Sequence, residues 1–293
     1  MFIAVVEARS IAEAARRLSL TQPAVSKSIH ELEATLGVPL FERDSRGIQP
    51  TGYAQVLYRR ALVIFGEIRL AGEEITQLAS SGTGKVALGT MPVAAAGLSA
   101  LAVTDLVQAY PGISVSITEG DHDALIEALR NRQLDLVVGR LPADTNSEEF
   151  TTELLYHDQL CVAAHQSHPL AQRRRVTLEE VAREYCIVPK EHSLAYQQLA
   201  RVFFDRKLRL PQRRIDTLSV LSVDALLATG KFVILGLPRK VVEYRPTSGL
   251  VVLPVELDTD PGPVGITCLK AHALLPSATY LIECLRRRCG LEA

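Results

Sequence analysis

The chain has 293 residues, enough for two or three compact units, and its 47% hydrophobic and 22% charged composition is that of an ordinary globular protein. No apolar run approaches the roughly 20 residues of a bilayer span, and Met1–Val6, interrupted at Glu7 with no basic stretch before it, makes a poor signal peptide, so an intracellular protein is expected. Formal net charge is −1, which does not announce a nucleic-acid partner. Residues 1–60 hold eight Lys or Arg against six Asp or Glu, a surplus of two, so any such partner must be argued from pattern.

Residues 1–50 break into short amphipathic pieces. Ser10 precedes Ile11-Ala12-Glu13-Ala14-Ala15-Arg16-Arg17-Leu18, with Glu13 placed to complete a capping box and Ile11, Ala14, Ala15 and Leu18 at helical spacing. Ser19-Leu20 makes a short turn. Thr21 is placed to cap a second helix that carries Pro23 in its first turn, where a missing N–H costs nothing. Val25, Ile29, Leu32 and Leu36 form its inner stripe, Gln22, Ser26, Lys27 and His30 face outward, and Gly37 ends it. Two helices joined by a tight turn, the second with hydrogen-bonding side chains at its N-terminal end, fit a major-groove reader: Gln pairs bidentately with adenine, and Lys reaches guanine or phosphate. An ordinary helical hairpin with a solvated face is the plain alternative. Leu40–Arg43 and Gly47–Pro50 around Asp44-Ser45-Arg46 add the pattern of a β-hairpin wing carrying Arg43 and Arg46.

Thr51 opens a helical pattern that can run to Ser80, about 45 Å at 1.5 Å per residue. Leu57, Ala61, Ile64, Ile68, Ala71, Ile75 and Leu78 step by fours and threes. Such a heptad seam favours the same helix of a second chain as partner, with packing on the rest of its own chain as the rival. Ser80-Ser81-Gly82-Thr83-Gly84 reads as a hinge; with no Gly-Lys-Ser/Thr behind it, it is no phosphate loop.

Beyond the hinge, apolar strands alternate with helices, the signature of an α/β domain with a largely parallel sheet. Strands are expected at Val86–Thr90, Ile113–Thr118, Leu134–Gly139 and Val264–Leu269. Helices are expected from Val93 to Tyr110 and at Asp123–Arg130, Val223–Leu227 and Ser277–Arg288. Five scattered cysteines, Cys161, Cys186, Cys268, Cys284 and Cys289, without a Cys-x-x-Cys pair, read as small core residues. Cys161 lies four residues before His165 on a strand, roughly 13 Å away, and His168 follows at a loop exit, so no metal site is expected there. There is no Gly-x-Ser-x-Gly elbow, and catalysis is unsupported.

The run Ala14-Ala15-Arg16-Arg17-Leu18-Ser19-Leu20-Thr21-Gln22-Pro23-Ala24-Val25-Ser26, continuing through Leu32-Glu33 and Leu36-Gly37 to Leu40-Phe41-Glu42-Arg43, closely resembles the LysR-type transcriptional regulators. The resemblance is specific over residues 2–60 and holds in outline beyond. It implies a mainly α winged helix-turn-helix domain (1–50), a dimerising linker helix and hinge (51–84), and an α/β effector-binding sensor (85–293). The sensor's two Rossmann-like lobes, similar to periplasmic binding proteins, would be lobe I at 85–156 and 261–293 and lobe II at 157–260. Two departures stand out. Met1-Phe2 falls inside the first helix of the family pattern, which implies a short first helix or residues upstream, and Ala54 stands where many members have Gly.

The resemblance implies a cytoplasmic, non-enzymatic homodimer or homotetramer that uses no cofactor. It would bind pseudo-palindromic double-stranded DNA and a small-molecule effector, an anionic metabolite among the candidates, with RNA polymerase as a further candidate partner. DNA contacts fall on Gln22, Pro23, Ser26, Lys27 and His30, with Arg43 and Arg46 of the wing. Effector contacts are expected where strands end in the cleft. The Thr90 hydroxyl and the first-turn N–H groups at Val93 and Ala94 would hold an anion, Arg140 would balance a carboxylate, and Ser193, Thr217 and Ser219 would act as contacts or helix caps. A solute-binding protein whose N-terminal helices serve only dimerisation is the alternative, and salt-dependent binding to palindromic DNA separates the two.

Overall fold

The computed structural model describes residues 1–44, 47–79, 83–141, 147–191, 193–217, 219–260, 262–270 and 274–291. The chain divides into two compact units: Met1–Leu78 with Arg130–Gln133, and Ala79–Leu129 with Leu134–Ala293.

In the first unit, α1 (Phe2–Ala8), α2 (Ile11–Arg17) and α3 (Gln22–Leu36) precede a hairpin of β1 (Phe41–Asp44) and β2 (Gly47–Pro50), then α4 (Gly52–Ala79). Phe2, Val5, Ala15, Val25, Ile29 and Leu40 close one small core, and the two alanines Ala14 and Ala15 let α3 approach α2. Burying so few large side chains makes the position of each one matter. Ser10 caps α2 by accepting from the Glu13 N–H at 3.3 Å. Only that half of the expected capping box is recorded, because the Glu13 carboxylate turns to Arg16 and Arg17 instead. Thr21 occupies the cap position of α3 without a side-chain cap bond, and Leu36 ends exposed. Gly37 takes φ +69°, the left-handed turn that ends a helix at little cost only for glycine.

Glu33 anchors the wing: its Oε1 accepts from the N–H groups of Leu40 and Phe41 at 2.7 and 3.2 Å. The hairpin then pairs in register, Phe41 opposite Pro50 and Asp44 opposite Gly47. Thr51 closes its base, donating to the Pro39 carbonyl and capping α4 at the Ala54 N–H. At 28 residues α4 is about 42 Å long. Along the heptad seam Leu57 and Ala61 are half-buried, while Ile64, Ile68 and Ile75 stand 59%, 61% and 68% exposed. The Leu78 side chain and the hinge residues Ser80, Ser81 and Gly82 lie outside the described part.

The second unit holds two five-stranded sheets. β3 (Thr83–Thr90), β4 (Gly112–Glu119), β5 (Leu136–Arg140), β6 (Phe150–His157) and β12 (Pro263–Leu269) form one, ordered β4-β3-β5-β12-β6. β7 (Leu160–His165), β8 (Tyr185–Val188), β9 (Arg214–Asp216), β10 (Phe232–Pro238) and β11 (Leu250–Val252) form the other, ordered β11-β7-β10-β8-β9. Each is mixed rather than largely parallel. β3 runs parallel to β4 and β5, but β12 is antiparallel to β5 and β6; in the second sheet β7 is antiparallel to β10 and β11. The chain passes from the first sheet to the second between β6 and β7 and returns between β11 and β12.

Around the first sheet lie α5 (Pro92–Ala94), α6 (Ala100–Ala109), α7 (His122–Arg130) and α12 (Pro276–Arg288). Around the second lie α8 (Leu178–Val181), α9 (Leu194–Asp205), α10 (Val220–Ala228) and α11 (Arg239–Glu243). The single helix expected from Val93 to Tyr110 is instead broken by a π turn at Ala95–Ser99. Tyr244 of the segment after α11 packs there so closely that a Cβ on Gly97 would lie 2.7 Å from the Tyr244 Cβ. No helix of the described residues is long and apolar enough to cross a membrane.

Candidate nucleic-acid interface and ligand cleft

On α3, Gln22, Pro23, Lys27 and His30 are exposed and Ser26 is half-buried, while Val25 and Ile29 turn inward. Steps of four (Gln22, Ser26, His30 and Pro23, Lys27) put the outward group on one face. The first turn carries no acidic residue, so the positive end of the helix dipole is left for an anion. Lys27 holds only a loose, exposed ion pair with Glu31 at 3.8 Å, weak enough for a phosphate to displace. His30 Nδ1 donates to the Ser26 carbonyl at 2.9 Å, which leaves Nε2 pointing away from its own backbone. Arg43 lies on β1, but its side chain, like all of Arg46, is outside the described part. Glu33, which fixes where the wing begins, was not anticipated from the sequence. Its signal was an acid at the inner end of α3 facing the chain reversal after Gly37.

In the second unit a cavity of about 310 Å³ opens between the two sheets' strand ends. Met91, Pro92 and Val93, Gly120 and Asp121, and Arg140 come from the first lobe; Val188, Pro189, Ser193, Ala195 and Thr217, with residues of α10, β10 and α11 and with Arg245 and Leu250, supply the other wall. Of the expected contacts, the structure brings Val93, Arg140, Ser193 and Thr217 to this cavity. Thr90, Ala94 and Ser219 do not line it. Thr90 is 1% exposed with its Oγ 2.9 Å from Ser99 Oγ, on the helix-covered face of the sheet. Of the two N–H groups expected to hold an anion, that of Ala94 is occupied, donating to the Met91 carbonyl at 2.9 Å beside the Ala95 N–H, which donates to the same oxygen. Ser219 caps α10, accepting from the Ser222 N–H.

The lining hydroxyls are largely committed. Ser193 Oγ donates to the Lys190 carbonyl and accepts from the Tyr196 N–H, and Thr217 Oγ accepts from the Ser219 N–H. Arg140 donates to the Gly262 carbonyl at 3.1 Å, and burial draws its guanidinium below the ordinary value, against the pull of Asp158, Tyr156 and Asp260. Arg245 is held by both carboxylate oxygens of Asp224, at 3.1 and 2.6 Å.

The floor has a feature the sequence reading missed. Gly236 is the extra residue of a bulge: Leu235 pairs with Val162 and Leu237 with Cys161, so Gly236 has no ladder partner in β7 or β8. Its φ is +77°, and an added Cβ would lie 3.1 Å from Pro189 Cγ. A glycine inside an apolar strand, Leu235-Gly236-Leu237, is the signal that could have found it.

Elsewhere the chemistry-bearing residues have structural partners. Cys161, Cys186 and Cys268 are buried, and burial pushes each thiol up to about 12, far from a reactive thiolate. His168 Nδ1 accepts from the Leu170 N–H and His165 Nδ1 lies 2.7 Å from Ser167 Oγ. No group of three His, Cys, Asp or Glu among the described residues could hold a metal ion.

Two family models cover almost the whole chain. Residues 1–55 match the bacterial regulatory helix-turn-helix protein of the lysR family, and residues 79–290 match the LysR substrate binding domain. The HTH-type transcriptional regulator GbpR of Azospirillum brasilense is 29% identical over 98% of this chain and 84% of its own length. PcaQ of Agrobacterium fabrum is 31% identical over 99% and 93%. Among solved structures, CbnR, a LysR family transcriptional regulator, shares the fold at a TM-score of 0.70 with 20% identity, over 98% of this chain and 96% of CbnR. CbnR in complex with its target DNA aligns at 0.68. A winged helix-turn-helix and a two-sheet ligand domain, each matched by its own model and carried together in full-length relatives, place this chain in the LysR family of bacterial helix-turn-helix transcriptional regulators.

Proposed function

We propose that this LysR-family regulator reads a dyad-symmetric duplex with the α3 face of Gln22, Pro23, Ser26, Lys27 and His30, and that the wing with Arg43 and Arg46 reaches the flanking backbone. Two copies joined along α4 present two such faces, and pairs of dimers form the working tetramer in the cytoplasm. A small molecule in the cleft closes the two lobes on each other, and that closure shifts which promoter contacts the assembly makes. Because this is an equilibrium between arrangements, the effector acts only through its different affinity for each. The reading involves no turnover: the lining hydroxyls of Ser193 and Thr217 serve as helix and turn caps.

The observation that carries the proposal is the exposed, acid-free N-terminal turn of α3 beside a wing whose start is pinned by Glu33. CbnR, which shares this fold, has been solved on its target DNA. The test is Gln22→Ala on a dyad-symmetric duplex selected from the protein's own promoter region, against a scrambled duplex. One bidentate base contact is worth about 1–3 kcal/mol, so specific binding should weaken roughly 5- to 150-fold while binding to the scrambled duplex changes little. Equal losses on both duplexes would remove Gln22 from base readout. No preference for any dyad-symmetric duplex would remove the function itself.

A further inference from the structure

The turn between α1 and α2 carries a cation in a backbone conformation that suits glycine. We infer that Arg9 is a DNA-backbone contact, its guanidinium binding a phosphate at the outer edge of each half-site, beside the tip of the wing. This role rests on the chain reading a dyad-symmetric duplex, and it falls on a residue outside the reading face of α3.

α1 ends at Ala8, and Arg9 follows with φ +48° and ψ +28°, its N–H donating to the Val5 carbonyl at 2.9 Å. A side chain in the left-handed region crowds its own backbone, so the region favours glycine. α3 ends in that way, with glycine in the left-handed position at Gly37. Glycine would close the turn after α1 equally well, so the needs of the turn do not account for an arginine there. Backbone strain of this kind gathers at functional sites.

The side chain has no use within the unit. Arg9 is exposed, and among the described residues its guanidinium makes no hydrogen bond or ion pair. The acids nearest in sequence are engaged elsewhere. Glu7 accepts from the Tyr58 hydroxyl at 3.2 Å, and Glu13 holds Arg16 and Arg17.

Arg9 also sits against the wing. A Cβ on Gly47 would lie 3.6 Å from the Arg9 carbonyl. Gly47 pairs with Asp44 at the closed end of the hairpin and directly follows Arg46 in the chain. Two turns remote in sequence therefore meet at one place on the surface of the first unit. In a helix-turn-helix the helix before the recognition helix crosses the DNA backbone, and α2 begins just after Arg9 and its cap Ser10. A guanidinium at that junction offers a planar fork that matches two phosphate oxygens. Such a contact fixes position and carries no sequence information.

The test uses the full chain with Arg9→Gly and Arg9→Lys, on the dyad-symmetric duplex and on the scrambled one. Each phosphate contact adds about 0.9 to the steepness of log affinity against log salt. Arg9→Gly should remove two contacts from a bound dimer, lowering the slope by about 1.8, so that parent and variant converge roughly tenfold between about 50 and 200 mM salt. The loss should be the same on both duplexes. Arg9→Lys keeps the charge and should keep the slope. Glycine relieves the backbone, so the melting temperature of Arg9→Gly should equal or exceed the parent's even as its binding falls. Phosphate ethylation should interfere at the outermost contacts of each half-site for the parent and not for Arg9→Gly.

An unchanged salt slope in Arg9→Gly overturns the role. So does a loss confined to the dyad-symmetric duplex, which is base reading, or a fall in melting temperature shared by Arg9→Lys, which is a structural part. The duplex-reading function is judged on the parent alone. A parent that prefers the dyad-symmetric duplex, matched by Arg9→Gly at every salt concentration, removes Arg9 and keeps the function. A parent with no such preference removes the function.

Discussion

Thr90 and Arg140 close two neighbouring parallel strands, yet only Arg140 reaches the cleft. The pleat explains the difference. Side chains two apart share a face, and Val86, Leu88 and Thr90 are all buried toward the helices. Strand ends were legible in the sequence as places where ligands bind, but the side on which each terminal residue falls had to be counted along the alternation. Thr90→Val therefore tests stability more than recognition. It removes the partner of the buried Ser99 hydroxyl, which should cost about 1–3 kcal/mol. Thermal unfolding should show a fall of a few degrees at roughly 2–4 °C per kcal/mol for a domain of this size, with effector affinity kept. Lost affinity at an unchanged melting temperature would return Thr90 to the site.

Asp158 poses a second residue-scale question. It lies at the crossing from β6 to β7, with Oδ1 accepting from the N–H groups of Gln159 and Lys240 and Oδ2 buried without a hydrogen-bond partner. Burial raises its pKa; those two N–H groups and Arg140 oppose the rise, and Glu243 adds to it. The sign follows from linkage: the folded chain holds this proton more tightly than the unfolded one. Its contribution is fully present below the ordinary value of 3.8 and is lost as pH rises through the folded value. Asp158→Asn should remove that component, so the stability difference between variant and parent should move in the variant's favour from pH 4 upward. Parallel denaturation curves at every pH would reject the account.

At the scale of elements, local chemistry was read better than long-range chemistry, although Thr21 makes no side-chain cap bond and the capping box at Ser10 is half formed. The α2 cap at Ser10, the end of α3 at Gly37 and the pairing of the wing all depend on residues a few positions apart, where turn and cap rules apply directly. The π turn at Ala95–Ser99 packs against Tyr244, from far along the chain, and nothing near Gly97 announces that contact. The antiparallel places of β6 and β12 are likewise set by partners remote in sequence. The bulge at Gly236 lies between: its glycine was visible, its effect on the cleft was not.

The α4 seam belongs to this scale too. Ile64, Ile68 and Ile75 stay exposed on a helix whose other end is packed into the first core, an arrangement that calls for a second copy. Ile68→Glu places a charge in the middle of that stripe. Sedimentation should show dimer dissociation at a protein concentration at least about tenfold higher than for the parent. Helical content by circular dichroism should stay the same, since the side chain touches little within its own chain. An unchanged association constant would assign the contact elsewhere.

For the whole molecule, the two units can be thermodynamically linked whatever path the coupling takes. If an effector changes affinity for the operator by some factor, the operator must change affinity for the effector by the same factor. Coupling of about 1–3 kcal/mol corresponds to roughly 5- to 150-fold, well within reach of titration. The expected result is that effector binding measured on the operator-bound protein differs from that on the free protein by the ratio found in gel shifts with and without effector, and in the same direction. A scrambled duplex should give a much smaller ratio, since phosphate contacts common to both sequences do not distinguish the two arrangements. If the effector shifts operator affinity while the operator leaves effector affinity unmoved, the two events do not share one equilibrium, and closure of the lobes is not what the DNA-reading face responds to.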